Sequence, residues 1–196
     1  MPPVSRRLFV VLGSAASALT LAGCGGGPAP ATFDLSAARA SGRLLGGGGA
    51  IIVPEPTTIF ALDSERIVVR AASGDLTYLP RAQWADRLPR LFQARLIQTF
   101  ENRGKVAVGR PADRLASSYQ LLVDIRSFEA REASRDGFIE VAAKIVTTES
   151  GNVRRAQLFS ASTPVGAFDG GGVTSALDAA LARILLDITA WTAAGG

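Results

Sequence analysis

Apolar positions along the chain change period several times, and each period predicts a different element. Tyr119, Leu121, Val123 and Ile125 alternate with Gln120, Leu122, Asp124 and Arg126, and Phe128 closes the run. Ile139, Val141, Ala143 and Ile145 alternate in the same way with Glu140, Ala142, Lys144 and Val146. A period of two marks a strand with one buried face. Glu149-Ser150-Gly151-Asn152 is turn chemistry, so Val153 to Ala161 is predicted to return as the second arm of a hairpin. Shorter apolar or β-branched runs predict strands at Thr32–Leu35, at Ala50–Val53 (stopped by Pro54 and Pro56), at Arg66–Arg70 and at Leu76–Leu79, the last ended by Pro80.

Two segments carry the longer period. Leu88, Phe92, Leu96 and Phe100 stand four apart with Leu91 and Ile97 beside them, which predicts a helix over Asp86–Arg103. Pro89 suits its first turn and Gly104 the residue after its end. Arg90, Gln93, Gln98 and Glu101 form its polar face, expected to be solvated. Gly170 to Gly172 reads as an interruption. A last helix follows over Ser175–Trp191, with Leu177, Leu181, Ile184, Leu185, Ile188 and Trp191 at three- and four-residue steps and Ser175 and Asp178 as a shortened capping box. The order is strands, helix, three strands, helix. It predicts an α+β two-layer sandwich, a mainly antiparallel sheet with two helices packed on one face.

The first 24 residues follow no such period. Arg6 and Arg7 precede an apolar run from Leu8 to Leu21. That run is shorter than the roughly 20 residues of a membrane-spanning helix and suits the core of a secretory leader. It ends in Leu21-Ala22-Gly23-Cys24, which looks like the lipobox of a bacterial lipoprotein. The expectation is a signal peptide over 1–23, acylation of Cys24, a flexible tether over 24–31 (rich in Gly, Pro and Ala) and a domain over 32–192. Each buried methylene contributes about 0.8 kcal/mol, so two or more acyl chains anchor a protein stably. Gly25 rather than aspartate follows the cysteine, which resembles the outer-membrane sorting signal of enteric bacteria.

Composition narrows the chemistry. The 196 residues hold no histidine and a single cysteine, Cys24. Ser–His–Asp and Cys–His catalysis, histidine zinc sites, CxxC redox chemistry and intramolecular disulfides are therefore excluded. The formal charge is +4, of which two units leave with Arg6 and Arg7. The remaining arginines are dispersed, which argues against nucleic-acid binding. The glycine run Gly46–Gly49 lacks phosphate-loop spacing, so no cofactor is expected. A paired-acid enzyme would have to draw on carboxylates such as Asp124, Glu129, Glu140 and Glu149, which fall on polar strand positions or turns where solvated surface is the expectation. Asp124 and Glu140 are candidates to face arginine or lysine across strands.

Trp84 is the candidate partner-binding residue, as an exposed aromatic anchor. The competing reading, favoured by Leu88 nearby, is a hydrophobic plug before the first helix. Trp191 carries the same two readings.

The order of segments resembles the ABC-type transport auxiliary lipoproteins. The residues that carry the resemblance are Phe33-Asp34-Leu35, Glu55-Pro56, Leu62 to Arg70, Tyr78-Leu79, Gln83 to Pro89, Phe100-Glu101, Tyr119-Gln120-Leu121, Ser127 to Ala130, Phe159 to Pro164 and Ala190-Trp191, together with the lipobox. The resemblance implies a non-enzymatic, lipid-anchored component at the periplasmic face of the outer membrane. Its implied partners are an MCE-domain protein and ABC transporter subunits of a lipid-transport system, and a ring-like homo-oligomer would match the MCE assembly. The alternative is an accessory lipoprotein of another outer-membrane machine such as lipopolysaccharide export.

Overall fold

A computed structural model of the chain describes residues 29–39, 49–104 and 107–194. The predicted leader, Cys24 and most of the predicted tether lie outside the described residues, as do Gly46 to Gly48. The elements are β1 (Ala31–Phe33), β2 (Ile51–Ile52), β3 (Thr57–Thr58), β4 (Arg66–Arg70), β5 (Leu76–Trp84), α1 (Leu88–Asn102), β6 (Val108–Gly109), a 3-10 turn (Pro111–Asp113), β7 (Tyr119–Arg131), β8 (Asp136–Thr147), β9 (Val153–Pro164) and α2 (Gly170–Ala193). Nine strands form one mixed sheet and two helices cover it, an α+β fold.

The long strands β7, β8 and β9 pair antiparallel in sequence order, as their alternation dictates. The register steps by one residue at Arg126, which has no opposite number on β8. Such a bulge moves the buried set to the other parity. Leu121, Val123 and Ile125 are buried before it and Phe128 and Ala130 after it. The opposite edge of β7 is occupied in pieces. β2 pairs with Tyr119–Gln120, β3 with Asp124–Ile125 and β4 with Glu129–Arg131, all parallel. β5 returns antiparallel to β4, and β1 lies parallel against the end of β5.

β5 corrects one expectation. It runs through Pro80 to Trp84. Its register against β4 slips between the Tyr78 pairing and the Gln83 pairing, and within that slip Arg81 takes a positive φ of 56°. A bulge demands no ladder hydrogen bond from proline, so Pro80 sits inside the strand without ending it.

α1 follows its predicted stripe. Leu88, Leu91, Phe92, Leu96, Ile97 and Phe100 are buried, Pro89 stands in the first turn and Gly104 follows the end with φ 70°. Its polar face is only partly solvated. Gln93 is buried, and its Nε2 donates to the Val53 carbonyl at 2.9 Å.

α2 starts five residues before the predicted Ser175. Asp169 caps it, its carboxylate accepting from the Gly172 N–H at 2.8 Å. The three glycines are its first turn, and at Gly172 the approach of the backbone leaves no room for a side chain. A Cβ on Gly172 would stand 2.0 Å from the Ala167 carbonyl oxygen. Asp178 is thereby freed from capping and accepts from the Ser36 N–H at 2.6 Å. Val173, Leu177, Ala180, Leu181, Ile184, Leu185 and Ile188 form the buried stripe. The helix crosses β8 at Gly137, where a Cβ would lie 3.1 Å from the Leu177 nitrogen.

Candidate functional site

Trp84, the sequence candidate for partner binding, is a core residue. It is 1% exposed and its ring meets Phe128 edge-on, with centroids 5.8 Å apart. The parity change at Arg126 turns Phe128 inward to meet it, so the indole is unavailable as an anchor and the plug describes it. Trp191 packs edge-on against Phe159 at 5.7 Å, and its carbonyl accepts from Arg155 Nη1 at 3.1 Å.

Among the described residues the large apolar side chain most open to solvent is Phe60, 89% exposed, with Ile59 beside it. Both belong to the excursion between β3 and β4. From Thr58 to Val68 the chain takes ten steps while β7 advances four, from Ile125 to Glu129. The surplus forms a knuckle, and its base is braced. The Ile59 carbonyl accepts from the N–H groups of Leu62 and Asp63, and Leu62 is buried. Asp63 pairs with Arg87, which also reaches Glu55 at 3.0 Å. At the far side the Ser64 and Glu65 carbonyls accept from the N–H groups of Leu88 and Trp84. The loop is thus held on both flanks while its tip remains apolar and unpacked. Exposing a ring of this size is unfavourable in water unless something covers it.

The outer face of the sheet is polar and ordered near β4. Glu129, expected to be solvated, is 5% exposed and takes a two-pronged ion pair from Arg70 at 2.7 and 2.9 Å. The hydrogen bonds to Glu129 push the Arg70 guanidinium above its ordinary value. Arg131 binds Asp136 at 2.9 and 2.5 Å and lies 4.1 Å over the Phe138 ring. That hydrogen bonding holds the Asp136 carboxyl below the usual carboxylate range, against the opposing effect of burial. Arg66 stacks on Tyr78 at 3.6 Å.

The four candidate acids are not brought together. Asp124 is opposite Ala142 and accepts from the Thr57 hydroxyl at 3.2 Å, with Arg126 at 3.6 Å on its own strand rather than across the sheet. Glu129 is opposite Phe138 and Glu140 is opposite Ser127 and Ser160. Glu149 lies in the hairpin turn. Among the described residues no cluster of three acidic or sulfur ligands forms a metal site, and no helix is long and apolar enough to cross a membrane.

Comparisons with known proteins agree with this architecture. A Bradyrhizobium diazoefficiens protein, bll6063, is 35% identical over 175 residues, which cover 85% of this chain and 47% of that protein. The chain therefore spans about half the length of this curated relative. The crystal structure of protein XCC0632 from Xanthomonas campestris (family DUF330) superposes with a TM-score of 0.75 at 25% identity, over 84% of this chain and 94% of that one. The hypothetical protein CT253 from Chlamydia trachomatis shares the fold at a TM-score of 0.54 and 10% identity, over 76% and 98% of the two chains. A family model matches from residue 33 to residue 189, and by that match the chain belongs to the ABC-type transport auxiliary lipoprotein components.

Proposed function

We propose that this transport auxiliary component is anchored by an acylated Cys24 in the outer membrane and docks an ABC/MCE lipid-transport assembly there. Its role is adhesive, with no chemical step. The observation that carries the reading is the Ile59–Phe60 knuckle, an apolar tip on a braced base. A rigidly presented aromatic binds with little ordering cost, which is the economy of an interface hot spot. The partner proposed for it is the periplasmic MCE-domain protein. Family membership supports association with a transport system.

The test is affinity purification of the full-length protein from membranes of a strain making the MCE protein and the ABC subunits. Wild type is expected to carry both. Phe60→Ser, with an unchanged melting curve, should lose most of the MCE protein. Equal recovery by Phe60→Ser would refute the knuckle as the contact, and recovery of neither by wild type would refute the assembly. Cys24→Ala should release the protein from the membrane, and persistent membrane attachment with labelled palmitate would overturn the anchor.

A further inference from the structure

Among the described strands β9 has one neighbour, β8, so its other edge is open along twelve residues. The register says which backbone groups that edge presents. In an antiparallel pair, successive residues send their N–H and C=O alternately toward the neighbour and away from it. Just past β9 the Val165 N–H donates to the Arg135 carbonyl at 2.8 Å, and the pairing runs unbroken from there to Arg155 opposite Ile145. Thr163, Ala161, Phe159 and Gln157 therefore bond to β8, while Ser162, Ser160, Leu158 and Ala156 point their groups outward. Pro164 belongs to the outward set, where a missing N–H removes no ladder bond.

Open edges are normally blunted by charge, proline or a bulge. β9 has these devices only at its ends, in the register step at Arg154 and in Pro164. The eight residues Ala156 to Thr163 carry no charge and no proline. Leu158 is half exposed and stands opposite Ala142, which shares a shallow hollow with Leu122, so an apolar strip runs out to the edge. Cations flank the gap. Arg154 lies over the Tyr119 ring at 5.2 Å and Arg155 over the Trp191 ring at 5.0 Å. At the other end Arg183 of α2 donates to the outward Ser162 carbonyl at 3.2 Å. Among the described residues none of these three arginines pairs with a carboxylate, and β9 itself carries no acid. A second copy laid edge to edge would bring to the seam a β9 whose charges are all positive.

We propose that the open edge of β9 takes up an extended segment of a partner polypeptide as an added strand, one that is acidic at both ends and apolar at alternate positions between them. Main-chain hydrogen bonds to the outward groups supply affinity, and the Leu158 strip and the three arginines supply selectivity. β9 and the Ile59–Phe60 knuckle lie on opposite sides of β7, so this contact does not rest on the docking proposed above.

The test uses purified full-length protein in neutral detergent and two fluorescent peptides of about eight residues, the length of the uncharged gap. Both alternate valine and threonine; one ends in aspartates and the other in lysines. The aspartate-ended peptide should bind about tenfold more tightly. On binding it should slow hydrogen exchange at the amides of Ala156, Leu158 and Ser160, whereas those of Gln157 and Phe159 are slow already. Ser160→Pro removes an outward N–H and leaves the β8 ladder intact, so it should melt as wild type does and bind about tenfold more weakly. Arg183→Glu, on the exposed face of α2, should narrow the preference between the peptides about fivefold, and it decides the matter if the proline variant melts early. Equal binding of the two peptides, binding of neither, or a preference unchanged by Arg183→Glu overturns the proposal, as does undiminished binding by a stable Ser160→Pro. Slow exchange at Leu158 and Ser160 without peptide, in a particle sedimenting as two copies, assigns the edge to a second copy and also overturns it.

Discussion

The two edges of β7 are held by different means. On one edge β8 runs for twelve residues and is itself backed by the twelve of β9, with single-residue register steps. On the other edge β2, β3 and β4 supply two, two and five residues, with the chain leaving the sheet between them. Continuous pairing commits alternate side chains to the core beneath α1 and α2. Broken pairing lets residues escape that obligation, and Ile59 and Phe60 are in the largest escape. The difference teaches where this fold keeps stability and where it can present an adhesive tip without weakening the core.

Substitutions can break or sharpen that contrast. The largest effect is expected at Trp84, where the two regions meet. Trp84→Ala should lose about 3–5 kcal/mol in urea unfolding, as aromatic truncations in cores do. A loss below about 1 kcal/mol would mean that the ring is not the plug described. Next is Gly172→Ala, which forces a Cβ against the Ala167 carbonyl and should cost about 1–3 kcal/mol by displacing the start of α2. An unchanged melting temperature would contradict that crowding.

A smaller effect attaches to Arg131→Gln, which removes the partner of Asp136. The folded Asp136 carboxyl titrates below its ordinary range, so its ion pair contributes stability above that range and loses it as pH falls through the depressed value. The variant should be less stable than wild type by about 1 kcal/mol near neutrality. The two urea midpoints should converge below the depressed value, and a gap independent of pH would count against the ion pair. The smallest stability effect is expected from Phe60→Ser, within about 0.5 kcal/mol of wild type. A large destabilisation there would mean that the knuckle packs against the domain and is not free to bind.

The legible parts of the sequence were those where neighbours along the chain decide the structure. Arg66–Arg70 has the predicted limits, β7, β8 and α1 were visible from their periods, and β9 from the turn chemistry before it. Their ends were less visible because alternation does not announce a bulge. Arg126 is an ordinary polar position in sequence, yet its bulge buries Phe128 and turns Glu129 toward Arg70. The first turn of α2 was hidden because three glycines oppose a helix by propensity, whereas the close approach of Ala167 requires one of them. β3 and β6 are two residues long and exist only through distant partners.

In the candidate site, tryptophan drew the choice of anchor, but burial depends on tertiary packing and assigned the exposed role to Phe60. The available signal was weak: two adjacent large apolar residues between Pro56 and Asp63, belonging to no period. Trp84 stands in a largely polar stretch, Arg81 to Arg87, and its burial comes from packing with residues distant in sequence such as Phe128.

The segmented edge of β7 also bears on how the chain matures. Ile51 waits for Tyr119, Thr57 for Asp124 and Val68 for Glu129, separations of more than sixty residues. As the polypeptide emerges N-terminus first, β5 can take up β4 and β1, but β3 has no ladder to join, and β2 only the two residues of β6, until β7 arrives. Such distant closures are slow. The segment around β2 and β3 must therefore wait largely unpaired, so holding chaperones and proteases should act most strongly there on chains stalled before β7.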